Sequence, residues 1–273
     1  MQNYNPLVAL GLATGAHDSA VFCFPGAGDS VTSFVSFANE LNIGCPIYGM
    51  QPRGIIADQE PYSSIDEMAD EYCQIILSKG AGVRAFLIGH SFGGYVAMKV
   101  AQKLEQNLSI GTLILLDVTA PQDFQSNKSR PESLLELIRM FELGSNRNFN
   151  IDLEFLAGLT DEAQLELVQT VISEAASIPK RSIQHSSIKG MVNLFIKNSE
   201  MRFCPESPYH GEAILIDAIE SDASPSSRSR NYAKWRRVVP KIKYVQTAGN
   251  HITMLKRENI SALVSMVRRV WAI

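Results

Sequence analysis

The sequence predicts an α/β fold in which a mostly parallel central sheet carries helices on both faces. Three observations lead there: short apolar runs stopped by glycine or polar residues, helical apolar periods between them, and a length of 273 residues that suits one large domain. Parallel strands need crossover connections, and helices alternating with strands supply them.

In chain order, the first expected strand covers residues 20–24, an apolar run ending in Pro25-Gly26-Ala27-Gly28, where glycine permits a sharp turn. Further strands are expected over 46–50, 83–89, 112–117, 213–216 and 242–246. Ser64 and Glu67 are spaced as a capping box, and Ile65, Met68, Ala69, Tyr72 and Ile76 then share one helical face. A second helix is expected after Ser91, with Val96, Val100 and Leu104 inward, and a last one near the C-terminus through Ile260, Leu263, Val264 and Val267. Between about 131 and 202 only helical periods occur: Leu134, Leu137, Ile138 and Phe141, then Leu165, Val168, Val171 and Ile172, then Ile188, Met191, Val192 and Phe195. Such an insertion sits over an edge or an end of the sheet, and ligands bind at the carboxyl end. It is expected either to act as a lid or to be a packing subdomain without gating.

The bulk numbers narrow the function classes. A formal net charge of -3, with 45% apolar and 19% charged residues, gives no reason for a nucleic-acid partner. No apolar run approaches the ~18 residues of a membrane span, and Met1 to Gly15 lacks the basic and apolar regions of a signal peptide, so a cytoplasmic protein without membrane contact is expected. Cys23, Cys45, Cys73 and Cys204 lie far apart and are expected to be buried thiols, and no histidine pair has helical ligand spacing; neither a metal nor a cofactor is expected.

The chemistry is carried by Gly89-His90-Ser91-Phe92-Gly93-Gly94, placed between an expected strand and an expected helix. A serine hydroxyl is a poor nucleophile until it is presented to a base, and a tight strand-to-helix turn holds Oγ exposed for that purpose. The base should follow late in the chain, and His251 in Ala248-Gly249-Asn250-His251, past the last strand, fits. His90 neighbours the nucleophile and is expected to project elsewhere; His17, His185 and His210 lie outside the site. The acid is expected at Asp117, closing the strand after the nucleophile helix, with Asp217 and Asp222 as rivals after the next strand. The oxyanion donors are expected to be the backbone N–H groups of Phe92 and Ala27.

Several segments together resemble the thioesterase domains of nonribosomal peptide and polyketide synthases, within the α/β-hydrolases. They are Phe22-Cys23-Phe24-Pro25-Gly26-Ala27-Gly28, Tyr48-Gly49-Met50-Gln51-Pro52-Arg53-Gly54, Gly89 to Gly94, Leu113 to Asp117 with Ala120-Pro121, and Trp235 with Gly249 to Leu255. The resemblance implies an α/β-hydrolase fold and a single domain over 1–273, with a core at about 18–125 and 206–273 and a helical lid at about 128–205. It implies release of an acyl or peptidyl chain from the phosphopantetheine thioester of a carrier protein through an acyl-serine, by hydrolysis or macrocyclisation. The partner is a carrier protein or carrier domain, and the isolated domain is expected to be a monomer. A stand-alone editing thioesterase, whose acid often follows the later strand, is the nearest alternative; a carrier-binding module without catalysis and an ordinary esterase or lipase are the others. Asn250 departs from the family, which often has aspartate before the histidine. Asn5-Pro6-Leu7-Val8-Ala9-Leu10 resembles the linker after a carrier domain, which implies a longer natural protein.

Overall fold

The computed structural model describes residues 4–11, 17–55, 59–80, 83–121, 128–221 and 223–271. Seven strands form one sheet: β1 (Leu7–Gly11), β2 (Ser19–Phe24), β3 (Ile47–Met50), β4 (Arg84–His90), β5 (Leu113–Leu116), β6 (Ala213–Ala218) and β7 (Ile242–Thr247). Their spatial order is β1-β3-β2-β4-β5-β6-β7, and every pair is parallel except β1 with β3.

The strands are apolar on both faces because both faces are covered. In β4, Ala85 and Leu87 point into one core and Phe86 and Ile88 into the other. One face packs against α2 (Ile65–Leu77), α3 (Phe92–Leu104) and α8 (Pro225–Val238). The opposite face packs against α1 (Val35–Leu41) and α9 (Ile260–Trp271). The inward residues expected on α2, α3 and α9 are all buried.

Between β5 and β6 stand α4 (Arg130–Ser145), α5 (Leu153–Ala157), α6 (Asp161–Ala176) and α7 (His185–Glu200). They share an apolar core of their own, built from Leu137 and Ile138, Leu156, Val168, and Val192 and Phe195, against which Ala27 also packs. Phe141, Ile172 and Met191 are only partly buried at its margin.

Three expectations change. Leu7–Gly11, overlapping the linker-like segment, is an antiparallel edge strand, Leu7 pairing with Met50 and Ala9 with Tyr48, and its residues are at most half-buried. Ser64 does cap α2, but the Glu67 carboxylate accepts from the backbone N–H and hydroxyl of Ser63 and from Arg53, so the box is left half-formed. A complete box forms instead at Ser129 and Glu132, opening α4. Cys204 is exposed, whereas the other three cysteines are buried.

Candidate active site

The chain crosses the sheet between β3 and β4, so β2 and β4 are neighbours whose following connections run in opposite directions; ligands bind at such a switch point. The register aligns Phe24 with Gly89 and His90 with Leu116, and Asp117 and Asp217 follow in adjacent strand ends. The loops bearing Ala27, Ser91, Asp117 and Asp217 therefore open at one end of the sheet.

Ser91 takes φ 53° and ψ -125°, a region that penalises any side chain, between β4 and the first residue of α3. The turn exists because its glycines allow it: a Cβ on Gly93 would run into the carbonyls of Phe24 and Pro25, and one on Gly89 into the backbone of Gly93. The start of α3 is thus pressed onto the loop that holds Ala27. Neither the Phe92 nor the Ala27 backbone N–H has an acceptor among the described residues. Both residues line a cavity of about 870 Å³ together with Ser91, Asp117 and His251. Met140, Leu143 and Phe195 of the helical insertion line it as well.

His251 sits on the turn after β7, and its Nδ1–H donates to Asp117 Oδ2 over 2.6 Å. The other Asp117 oxygen accepts the Ala218 backbone N–H at 3.0 Å. Burial by itself would raise the Asp117 pKa, but the His251 hydrogen bond and charge, with the Ala218 N–H, outweigh it and hold the carboxylate below its ordinary range. The loop after Asp117 is fixed from α8: the Trp235 indole N–H and the Asn231 amide both donate to the Val118 carbonyl, and Asn231 accepts the Ala120 N–H. Tyr95 adds a bond to the Thr119 carbonyl.

Asp217 lines the same cavity but stands apart from the imidazole. Burial and the neighbouring Asp117 charge push its pKa up to about 7, against the Tyr244 hydrogen bond and Arg228. The geometry therefore gives the His251 partnership to Asp117. Asp222 lies outside the described residues. His90, expected to project elsewhere, instead lies against His251, with ring centroids 4.8 Å apart. Its direction follows from the elbow, which turns the next side chain, Ser91, to the cavity and leaves His90 below it. His17, His185 and His210 do not line the cavity. His185 faces Glu162 and His210 faces Glu105.

Asn250 caps the histidine turn: its Oδ1 accepts from the N–H groups of Ile252 and Thr253. That commits Nδ2 as the outward atom, and it donates to the Leu143 carbonyl in α4. An aspartate could cap the turn but could not make the second bond. Lys256 adds a hydrogen bond to the carbonyl of Gly144. No local pattern announces the Leu143 bond of Asn250, or Asn231 or Tyr95, because those partners lie 24 to 113 residues away in the chain.

Residues 19–270 match the thioesterase domain family. The chain belongs to that family. Its thioesterase fold is α/β-hydrolase-like, and membership implies hydrolase activity. Curated relatives of the thioesterase domain include a dimodular nonribosomal peptide synthase of Bacillus subtilis (strain 168), 29% identical over 177 residues, covering 64% of this chain and 7% of the relative. The polyketide synthase PksR of the same organism is 23% identical over 288 residues, covering 96% of this chain and 11% of the relative. The chain thus spans about a tenth of the length of these relatives. Among solved structures, a four-domain nonribosomal peptide synthetase, AB3403, superposes with a TM-score of 0.81 at 18% identity, covering 98% of this chain and 20% of that one. The type II thioesterase BorB, from a borrelidin biosynthetic cluster, gives 0.66 at 17% identity, covering 97% of this chain and 96% of that one. Both show that the thioesterase domain shares their fold. No cluster of three potential metal ligands occurs among the described residues, and no described helix is long and apolar enough to cross a membrane.

Proposed function

We propose that this thioesterase domain releases an acyl or peptidyl chain from the phosphopantetheine thioester of a carrier protein through an acyl-Ser91 intermediate. The observation that carries the reading is the 2.6 Å Asp117–His251 hydrogen bond on the wall of the cavity that also contains Ser91. With Nδ1 committed to Asp117, the Nε2 of His251 is the free basic atom. It accepts the Ser91 proton as Oγ attacks the thioester carbonyl carbon. The Phe92 and Ala27 amides receive the oxyanion, and the protonated His251 returns the proton to the departing thiolate. In the second half-reaction Nε2 deprotonates water, or an amine or hydroxyl of the bound chain. The tetrahedral intermediate collapses and Ser91 regains its proton, leaving a linear acid or a macrocycle.

The domain is read as a core at about 18–125 and 206–273 with a lid at about 128–205, the helices α4 to α7 forming that lid over the acyl cavity. A carrier domain or carrier protein is the partner. The alternative, an editing thioesterase acting on short acyl groups, is supported by the likeness to BorB over almost its whole length. Pairing of His251 with Asp117 after β5, rather than with Asp217 at the end of β6, supports release from a synthase.

The test uses a fluorophosphonate probe and a pantetheine-linked peptidyl thioester. Wild type is expected to be labelled and to turn over, and Ser91→Ala to do neither; undiminished labelling of Ser91→Ala overturns the reading. Mass spectrometry separates acid from ring, which differ by one water. Faster turnover of acetyl than of peptidyl thioesters selects the editing alternative.

A further inference from the structure

The ring of His90 lies under the catalytic constellation, and the mechanism above leaves it unused. Its Nε2 is 2.8 Å from the main-chain oxygen of His251. A carbonyl only accepts, so the proton is on Nε2 and Nδ1 carries the lone pair. That Nδ1 is buried and has no hydrogen-bond partner among the described residues. A Cβ on Gly26 would lie 3.5 Å from it. Burial, and then the His251 charge, push the His90 pKa down to about 3 against the pull of the His251 carbonyl and Asp117. His251 and Asp117 are the titratable groups facing it; the packed loop at Gly26 brings none.

Space-filling does not account for this residue. Methionine or leucine would occupy the volume without leaving a buried acceptor unsatisfied, a defect that native structures avoid. What histidine adds is one N–H at a fixed point on β4, a residue before the serine. We propose that His90 is a positioning residue for His251: its N–H holds the histidine's main chain in place while Asp117 holds the ring. This rests on the function proposed above.

The two anchors constrain different motions. The Asp117 bond sets the rotation of the imidazole, but the turn after β7 could still shift as a unit and carry Nε2 away from Ser91. The bond from His90 ties that turn to the strand that presents the serine, so nucleophile and base ride on one rigid element. Because the His90 ring stays neutral, it adds no second cation when His251 is protonated, at a centroid separation of 4.8 Å.

The experiment compares wild type with His90→Met, which fills the space without a donor, and His90→Gln, which places an amide N–H near the lost Nε2. Three quantities are read: kcat and KM on an acyl-pantetheine thioester, the low-field proton resonance of the His251–Asp117 bond, and the thermal midpoint. For His90→Met, kcat is expected to fall about tenfold or more with KM within about twofold, and the resonance to broaden or shift, while the midpoint does not fall. His90→Gln should recover most of kcat and the resonance. In 15N-labelled wild type, His90 should remain the neutral Nε2–H tautomer from about pH 5 to 9. Full activity with an unchanged resonance in His90→Met overturns the proposal. So does a folded His90→Gln no better than His90→Met, or titration of His90 within that range, which is read even if a variant fails to fold. Absence of Ser91 labelling in wild type would instead sink the functional reading, leaving the resonance as the test of the anchor.

Discussion

The side-chain amide of Asn250 donates to the carbonyl of Leu143 over 3.0 Å, so the turn carrying His251 is bonded to the last turn of α4. Leu143 also lines the cavity that holds Ser91 and His251, so the histidine turn, α4 and the cavity wall are linked. Asn250→Asp keeps both caps of the turn but replaces this donor with a carboxylate oxygen that meets the Leu143 carbonyl acceptor to acceptor. It should cost about 1 kcal/mol and lower kcat more than it raises KM. Thermal unfolding and amide exchange at the end of α4 check it, with Asn250→Ala, which also removes the caps, as the more damaging control. Unaltered exchange in α4 would contradict the tie.

Asp117 and Asp217 are separated by one strand spacing but differ in role. Asp117→Asn removes the acceptor that sets the His251 tautomer, and kcat should fall on the order of 10³–10⁴-fold. Asp217→Asn copies the protonated carboxyl and should stay within about tenfold of wild type. Measured kcat for the two variants checks the assignment, and the reverse ranking would give the acid to Asp217.

The same Asp217 gives a pH signature in stability. Its pKa rises from 3.8 unfolded to about 7 folded, so between these values the folded state binds the extra proton and stability falls as pH rises. Asp217→Asn removes that loss. The variant should match wild type near pH 4 and be more stable by about 1–3 kcal/mol at pH 8, as read by denaturant unfolding at both pH values.

Ser91 holds a conformation that glycine adopts freely. Ser91→Gly should be inactive yet more stable than Ser91→Ala by about 1 kcal/mol, strain relief exceeding the added freedom of the unfolded chain. Calorimetry on the two inactive variants checks this, and equal midpoints would mean that the elbow stores no strain.

Trp235→Phe should cost about 1–2 kcal/mol, since one of two donors to the buried Val118 carbonyl disappears. Activity should fall with stability, because that carbonyl belongs to the residue after Asp117. Thermal melts and kcat measured together check the coupling.

Where information is local in the chain, the amino-acid order alone determined the outcome. Buried parallel strands are continuous apolar runs, the elbow needs small residues flanking the serine within six positions, and the helices between β5 and β6 announce themselves by their period. The order of residues also pointed to Ser91 and His251 as candidate nucleophile and base, one inside a motif and the other just past the last strand. The preference for Asp117, already the first choice, over Asp217 was not settled there, because both lie at strand ends and only the direction of the His251 ring distinguishes them. Nor was the place of His90, whose partner is a backbone oxygen 161 residues onward, nor the reason for asparagine at 250, whose partner carbonyl is 107 residues away. A hydrogen bond to a main-chain carbonyl leaves no mark on the partner's side chain, so nothing in the order of residues records it; packing the strands and the inserted helices together is what brings those atoms within reach.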